Sequence, residues 1–520
     1  MGIRNFFKVV PVLFPSCRLR FRPQTTSKYA HVLLDVNNFL HGGASTSHAR
    51  FVHETVRQSS KLLLRAVVAT DSLYFAVDGA TPAAKLVLQR ARRSDEADSL
   101  RKDLFFYGPR ESCASSIEIT PGTELMVSVF DALCYSACSH LTRNSTRLAA
   151  PQLAVHVDGS SSPGEGEFKM FRHIAATPVS DAARSLVFSG DSDVVLLGLL
   201  SRRRNIDIMR DVTLGFSVDA LRAAIAARFE CAGAVELERV IDDFVLFTLL
   251  SGSDFTPAVQ HYSLADTLER YARMRAANRA RFVYDRVADA IDVGALVECV
   301  ATAPRPPEYC AKSAAPFVDR FGALVRGAGR QGCNAASYLQ TLQWCLSYMA
   351  GNCVNDRLFC KQLDNITVDE IADWARRSGT THTPAVPRRA PQPLLPVASL
   401  IAVCPLRYAE VVPAQLRALH TDVWRELEHA TAATYADASL DVSPVARVLD
   451  SLNERVLAAV SGADVTSRYL RSVTSHAPVS VYSRDASGNH LYAWPRISNV
   501  LPEQPTRTGI RHRLARTAQQ

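Results

Sequence analysis

Over the first half of the chain, short apolar runs of strand length alternate with longer stretches of helical periodicity. Four of those runs lead into acids. HVLLDVNNFLH (31–41) carries Asp35, SLYFAVDG (72–79) carries Asp78, and SLVFSGDSD (185–193) ends on Asp191 and Asp193. LAVHVDGSSSPGEGE (153–167) passes through a Gly/Ser loop to Glu165 and Glu167. Helical patterns lie between them, at Phe51–Ala69 and Thr123–Leu141, and a basic first helix spans Gly2–Phe14. Strands alternating with helices predict an α/β fold with a parallel or mixed sheet flanked by helices. In such sheets ligands bind beyond the carboxyl ends of the strands, so six acids are expected at one edge.

A seventh acid comes from IDDFVLFTLLSGSDFTP (241–257). This reads as a buried helix from about Glu236 to Leu250, with Asp254 just past its end and Pro257 preventing continuation. Asp242 and Asp243, near the helix start, suit the macrodipole and are read as structural. From about residue 276 Arg-rich amphipathic helices give way to a second helical region at 335–375, then a Pro/Arg-rich loop at 376–396 and further helices at 397–475. The predicted division is therefore 1–275, a helical 276–475, and a basic tail, 476–520, whose Arg-rich part after Trp494 is expected to be disordered.

Charges are costly to bury unless something positive lies among them. Any one strand-end aspartate could simply cap the next helix. Asp35, Asp78, Glu165, Glu167, Asp191, Asp193 and Asp254 together call for divalent cations, and hard oxygen ligands suit Mg²⁺ or Mn²⁺. Two such ions roughly 3.5–4 Å apart form the arrangement used to cleave phosphodiesters. Directly after Asp78 comes GATPAAKLVLQRARRS (79–94). Pro82 suits a helix start, and Lys85, Gln89, Arg92 and Arg93 then share one helical face. Two guanidinium forks, an ammonium and an amide beside a metal site could hold a terminal phosphate. His41 could stack on a base or be an ordinary packed residue. Asn37 could orient a metal ligand.

At 520 residues, with 47% hydrophobic and 21% charged residues, the composition is that of a globular protein. No apolar run reaches the ~20 residues of a transmembrane helix, so no membrane partner is expected. The net charge of +8 leans towards a polyanionic partner only weakly. Twelve cysteines show no CxxC pair, and Cys134 and Cys138, near His140, lie on a helical pattern that reads as core. No Ser/His/Asp or Cys/His constellation and no P-loop appears.

These blocks resemble the 5′→3′ exoribonucleases of the Xrn family. The opening MGIRNFF is similar to that family's start, and LLDVNNFLH, FAVDGATPAAKLVLQRARR, ITPGTELM, SPGEGEFK, GDSDVVLLGL and IDDFVLFTLLSGSDFTP follow in the family's order. The resemblance covers about residues 1–265, with a weaker echo from SYLQTLQWCLSYMAG (337–351) onwards. It implies a PIN/FEN-like nuclease core that removes 5′-mononucleotides from single-stranded RNA bearing a 5′-monophosphate, using two Mg²⁺ or Mn²⁺ ions. The seven acids would be the metal ligands, Lys85, Gln89, Arg92 and Arg93 the 5′-phosphate pocket, and His41 the stacking residue.

Asn38, Phe168 and Ser253 stand where the family usually has Gly, His and Asn. An aromatic-rich stretch expected after Gly351 is replaced by NCVNDRLFCKQLDN. The alternatives are a structure-specific 5′ flap DNA nuclease and a catalytically weak RNA-binding or assembly protein on the same fold. A basic opening stretch with no acid before Asp35 resembles a mitochondrial presequence. The match at the first residue instead favours retention, hence a nuclear or cytoplasmic location.

Overall fold

The computed structural model describes residues 2–3, 6–21, 27–40, 48–65, 67–94, 117–143, 153–178, 183–211, 213–302, 334–362, 365–436, 443–461, 468–477, 479–484 and 490–493. The chain begins with helix α1 (Phe6–Leu13), strands β1 (Arg18–Arg20) and β2 (Ser27–Asp35), a short α2 (Asn37–Leu40) and α3 (His48–Arg65). Next come β3 (Val67–Ala76), α4 (83–94), α5 (Glu124–Arg143), β4 (Ala154–Asp158), α6 (Gly166–Ala176) and β5 (Ser185–Phe188). α7 (Asp193–Leu200), β6 (Ile206–Met209), β7 (Leu214–Ser217), α8 (Val218–Arg228), α9 (Ala234–Leu249) and α10 (Leu264–Ala277) follow. A small hairpin, β8 (Tyr284–Asp285) and β9 (Ala290–Ile291), precedes α11 (Val293–Cys299). Beyond residue 334 lie α12 (Ala335–Met349), α13 (Val368–Ser378), α14 (Pro396–Val403), α15 (Arg417–Ala436), α16 (Pro444–Val460) and α17 (Arg468–Val473). Strands β10 (Ser480–Arg484) and β11 (His490–Ala493) close the described chain.

Nine strands form one mixed sheet in the order β1-β7-β6-β5-β2-β3-β4-β10-β11. The five from β6 to β4 run parallel, and antiparallel pairs complete both sides. Their register aligns the carboxyl ends: Asp35 lies opposite Ala76, and Ala76 opposite Asp158. The inner strands are covered on both faces, as parallel strands require. Val32, Leu34, Leu73 and Phe75 pack with α2, α3 and α5, while Leu33, Tyr74, Val187 and Ile208 face the other way. That second face continues without a break into α7, α9, α12, α14, α15 and α16. Residues beyond 334 thus share the sheet's core.

Two stretches outside the main elements are tied into the fold. The Pro/Arg-rich stretch 376–396 is strapped down rather than free. After Gly379, which caps α13 at φ 63°, Thr383 N–H donates to Ile291 O (3.0 Å) and Arg389 N–H to Val354 O (2.8 Å). Val386, Leu394 and Leu395 are buried there, which gives the extended chain its anchorage. The tail is not wholly outside the fold either, because Ser480–Tyr482 pair antiparallel with Val155–Val157 and Tyr482 is buried. The opening helix belongs to the core through Phe6 and Val10. Cys134 is buried on α5 and Cys138 is half-buried there.

Asp158, at the end of β4, is a strand-end acid with a structural role. It sits 3.3 Å from Lys169 Nζ, both side chains buried, and accepts from the Tyr74 hydroxyl at 2.5 Å. Lys169 also donates to Val77 O and Gly159 O, tying α6 to the ends of β3 and β4. Removing one partner of such a pair leaves an uncompensated buried charge. Lys169→Met is therefore expected to cost about 3–5 kcal/mol, read by urea unfolding, and Asp158→Asn on the same chain to recover part of it.

Candidate active site

Asp35 is buried at the end of β2. Its Oδ1 accepts the Asn37 backbone N–H (3.0 Å), and its Oδ2 accepts from the Asn38 side-chain amide (3.1 Å) and the Ser189 hydroxyl (2.9 Å). Asn37 Oδ1 accepts in turn from the Asp78 N–H at 3.3 Å, linking the ends of β2 and β3. The Asp78 carboxylate accepts the Gly166 N–H (2.7 Å) at the start of α6. A Cβ on Gly166 would lie 3.3 Å from Asp78 Oδ1 and 3.4 Å from Asp35 Oδ1. Both carboxylates therefore crowd the positive end of one helix.

The same helix start carries Glu165 and Glu167, both buried. β5 delivers Asp191 and the buried Asp193 at the start of α7. The chain's opening packs against them: Ile3 N–H donates to Ser192 Oγ at 2.7 Å, and Gly2 has φ +50°. A Cβ on Gly2 would fall 2.0 Å from Asp191 Oδ1 and 2.7 Å from Asp193 Oδ1, so only glycine fits there. Asp254 is buried in the turn after α9, where Ser253 Oγ accepts the N–H groups of Phe255 (3.1 Å) and Thr256 (3.2 Å).

Lys85 reaches from α4 into this group. Its ammonium bonds Glu165 and lies 3.3 Å from Asp254 and 3.9 Å from Glu167. The cluster remains rich in negative charge. Burial pushes the Glu165 carboxyl up to about 7, against the pull of Lys85. Burial, then the neighbouring Asp78 and Glu167, raises Asp35 well above the usual carboxylate range. Glu167 is raised by burial and Glu165, and Asp193 by burial, Asp191 and Asp254. These mutual influences connect all seven predicted acids.

The donor set fits a hard divalent cation. Glu165 Oε1 and Asp193 Oδ1 are buried without a hydrogen-bond donor, and an oxygen in that position needs a cation or a proton. Among the described residues no three acids form a ready coordination shell as they stand. Lys85 occupies the centre of their attention instead.

The predicted basic face forms on α4, but its members have unequal surroundings. Lys85 belongs with the acids. Gln89 lies 3.4 Å from the Thr81 hydroxyl. Arg92 is half-buried, and Arg93 is buried and donates to Ile119 O at 2.8 Å. His41 lies outside the described residues. Asp242 and Asp243 stay away from the cluster, but they lie in the middle of α9 (Ala234–Leu249) rather than near its start, so side-chain and backbone partners rather than the macrodipole offset their charge. Asp243 accepts from the Tyr271 hydroxyl (2.7 Å) and the Tyr284 N–H (2.7 Å), while Asp242 faces Arg286 (3.3 Å) and Arg202 (3.6 Å).

Sequence reasoning missed Gly2, Ser189 and Ser192 as parts of the site, and noted Asn38 only as a departure. The serines interleave the aspartates in SGDSD, which was the available signal. Phe168 packs on Tyr348 of α12, with tilted rings whose centroids are 4.2 Å apart, so residues beyond 334 press directly on the acid-bearing helix.

The fold and site thus define an α/β protein with an acidic cluster at the carboxyl edge of a parallel sheet. Residues 1–212 match the XRN 5′-3′ exonuclease N-terminus family. Similar proteins include 5′-3′ exoribonuclease 1 of Homo sapiens, 26% identical over 50% of this chain and 18% of that protein. Its Schizosaccharomyces pombe counterpart is 27% identical over 49% of this chain and 22% of that protein. 5′-3′ exoribonuclease 2 of Gallus gallus is 30% identical over 27% of this chain and 16% of that protein. The match spans about a fifth of those relatives' length.

A carboxyl whose folded pKa is raised binds more protons folded than unfolded. The stability that Glu165 adds is full below about 4.5 and is lost as pH rises through about 7. In EDTA the melting temperature is expected to fall between pH 5.5 and pH 8, and Mg²⁺ to restore it at pH 8. An EDTA profile flat across that range would contradict the buried-acid description.

Proposed function

We propose that this chain is a divalent-cation-dependent 5′→3′ exoribonuclease. It releases 5′-mononucleotides from single-stranded RNA carrying a 5′-monophosphate, in RNA decay or processing. The observation that carries the reading is the meeting of seven acids at one sheet edge with a basic helix inserted among them. The family match and the exoribonuclease relatives support it.

Asp35, Asp78, Glu165, Glu167, Asp191, Asp193 and Asp254 would hold two Mg²⁺ or Mn²⁺ ions. When bound, such ions lower the pKa of an attacking water and neutralise charge on the leaving oxygen. The rest of the work falls to the chain itself. Asn37, Asn38 and Ser189 fix the two Asp35 oxygens, so that ligand does not swing. Gly2 and Ile3 wall off the Asp191–Asp193 side from solvent. Lys85, with Gln89, Arg92 and Arg93 behind it on α4, grips the terminal phosphate and sets the first scissile bond at the acids.

The test is a time course on 3′-labelled RNA with 5′-monophosphate, 5′-hydroxyl or 5′-triphosphate ends in Mg²⁺. Mononucleotide release from the monophosphate substrate is expected. Asp193→Asn should slow it by at least a factor on the order of 10², as loss of one charge-stabilising group does elsewhere. Full activity in that variant, or a strong preference for a DNA flap, would overturn the reading. Arg92→Ala should weaken the preference for a monophosphate end by roughly 10- to 100-fold, the worth of one charge-assisted hydrogen bond. Competition between the three RNAs measures it.

A further inference from the structure

We propose that Arg90 is a positioning residue through which the helices beyond residue 334 set the choice of RNA 5′ end. The inference rests on the exoribonuclease reading and adds a residue that the phosphate-facing side of α4 does not include. At roughly 100° per residue, Arg90 points about 140° round the helix from Lys85. It is buried, and its guanidinium fork donates to two backbone carbonyls, Ala402 O on α14 and Trp424 O on α15, both at 2.8 Å. The same guanidinium lies 3.4 Å from the centroid of the Trp424 ring. A planar fork held by two fixed carbonyls and an aromatic face has one orientation. It therefore fixes both the tilt and the rotation of α4.

The two ends of α4 are held by the same part of the chain. Ala83 N–H donates to Asp356 O at 2.8 Å, and Arg407, at the other end, donates to Ser94 O at 3.1 Å. Lys85 sits near the first anchor and is held separately by Glu165 and Asp254. Gln89, Arg92 and Arg93 lie in the half of the helix that Arg90 and Arg407 control. A displacement of 1 Å at a substrate-positioning group can cost on the order of 10²-fold in rate. Loosening this half of α4 therefore degrades recognition of the 5′ phosphate before it disturbs the acids.

The experiment compares kcat/KM for RNA with 5′-monophosphate and 5′-hydroxyl ends in wild type, Arg90→Met and Arg407→Ala, with melting temperatures alongside. The monophosphate preference is expected to drop roughly tenfold in Arg90→Met and about threefold in Arg407→Ala, within the range reported for residues that act through others. Turnover of the 5′-hydroxyl substrate should stay within about threefold of wild type. Arg407 is exposed, so its variant decides the matter if Arg90→Met does not fold. An unchanged preference in a folded variant, whatever its melting temperature, overturns the role of Arg90 alone. A wild-type protein with no monophosphate preference overturns the underlying reading and this inference together.

Discussion

Parallel strands that end in register bring their last residues to one edge, and here those residues are acids. Everything about the site follows from the cost of keeping so many carboxylates close together and out of water. Part of that cost is met by backbone N–H groups at the start of α6, part by the hydroxyl and amides around Asp35, and part by Lys85. What remains is a set of acids with raised proton affinity and two oxygens lacking donors. Such a cluster is a poor structural element and a good cation receptor.

The order of packing around it explains why the sheet cannot be considered by itself. One face of the sheet has its own cover in α2, α3 and α5. The other face and the helices beyond residue 334 share one apolar core. Tyr348 rests on Phe168 next to Glu167, and Arg90 crosses from α4 to α14 and α15. Residues 1–212, which carry the family match, supply six of the seven acids, Asp254 comes from the turn after α9, and the helices beyond residue 334 supply mechanical support.

Much of this was legible in the chain. Period and punctuation gave the alternating elements, and the acids stood out because each followed an apolar run at its end. Asp242 and Asp243 were set apart from Asp254 by an expected place near the helix start, whereas α9 holds them in its middle. The supports were less visible. Gly2 matters through space alone, since a side chain there would strike Asp191, and nothing nearby in sequence says so. Arg90 looked like one more cation in a basic helix, and only the tertiary partners at Ala402 and Trp424 distinguish it from Arg92. The stretch 376–396 reads as a loop because prolines break periodicity; its anchors are backbone hydrogen bonds, which composition does not encode. Strand β10 was hidden by the charged sequence around it.

Strand β10 has a consequence for how the protein is made. The outer side of β4 is satisfied by residues 480–482, more than three hundred positions downstream of Val155–Val157. On a ribosome the sheet therefore emerges with a bare edge and keeps it until residues 480–482 have been made. Bare edges recruit strands from other molecules. A nascent chain of this design is open to mispairing until then, and a message truncated before that point yields a sheet with a sticky side.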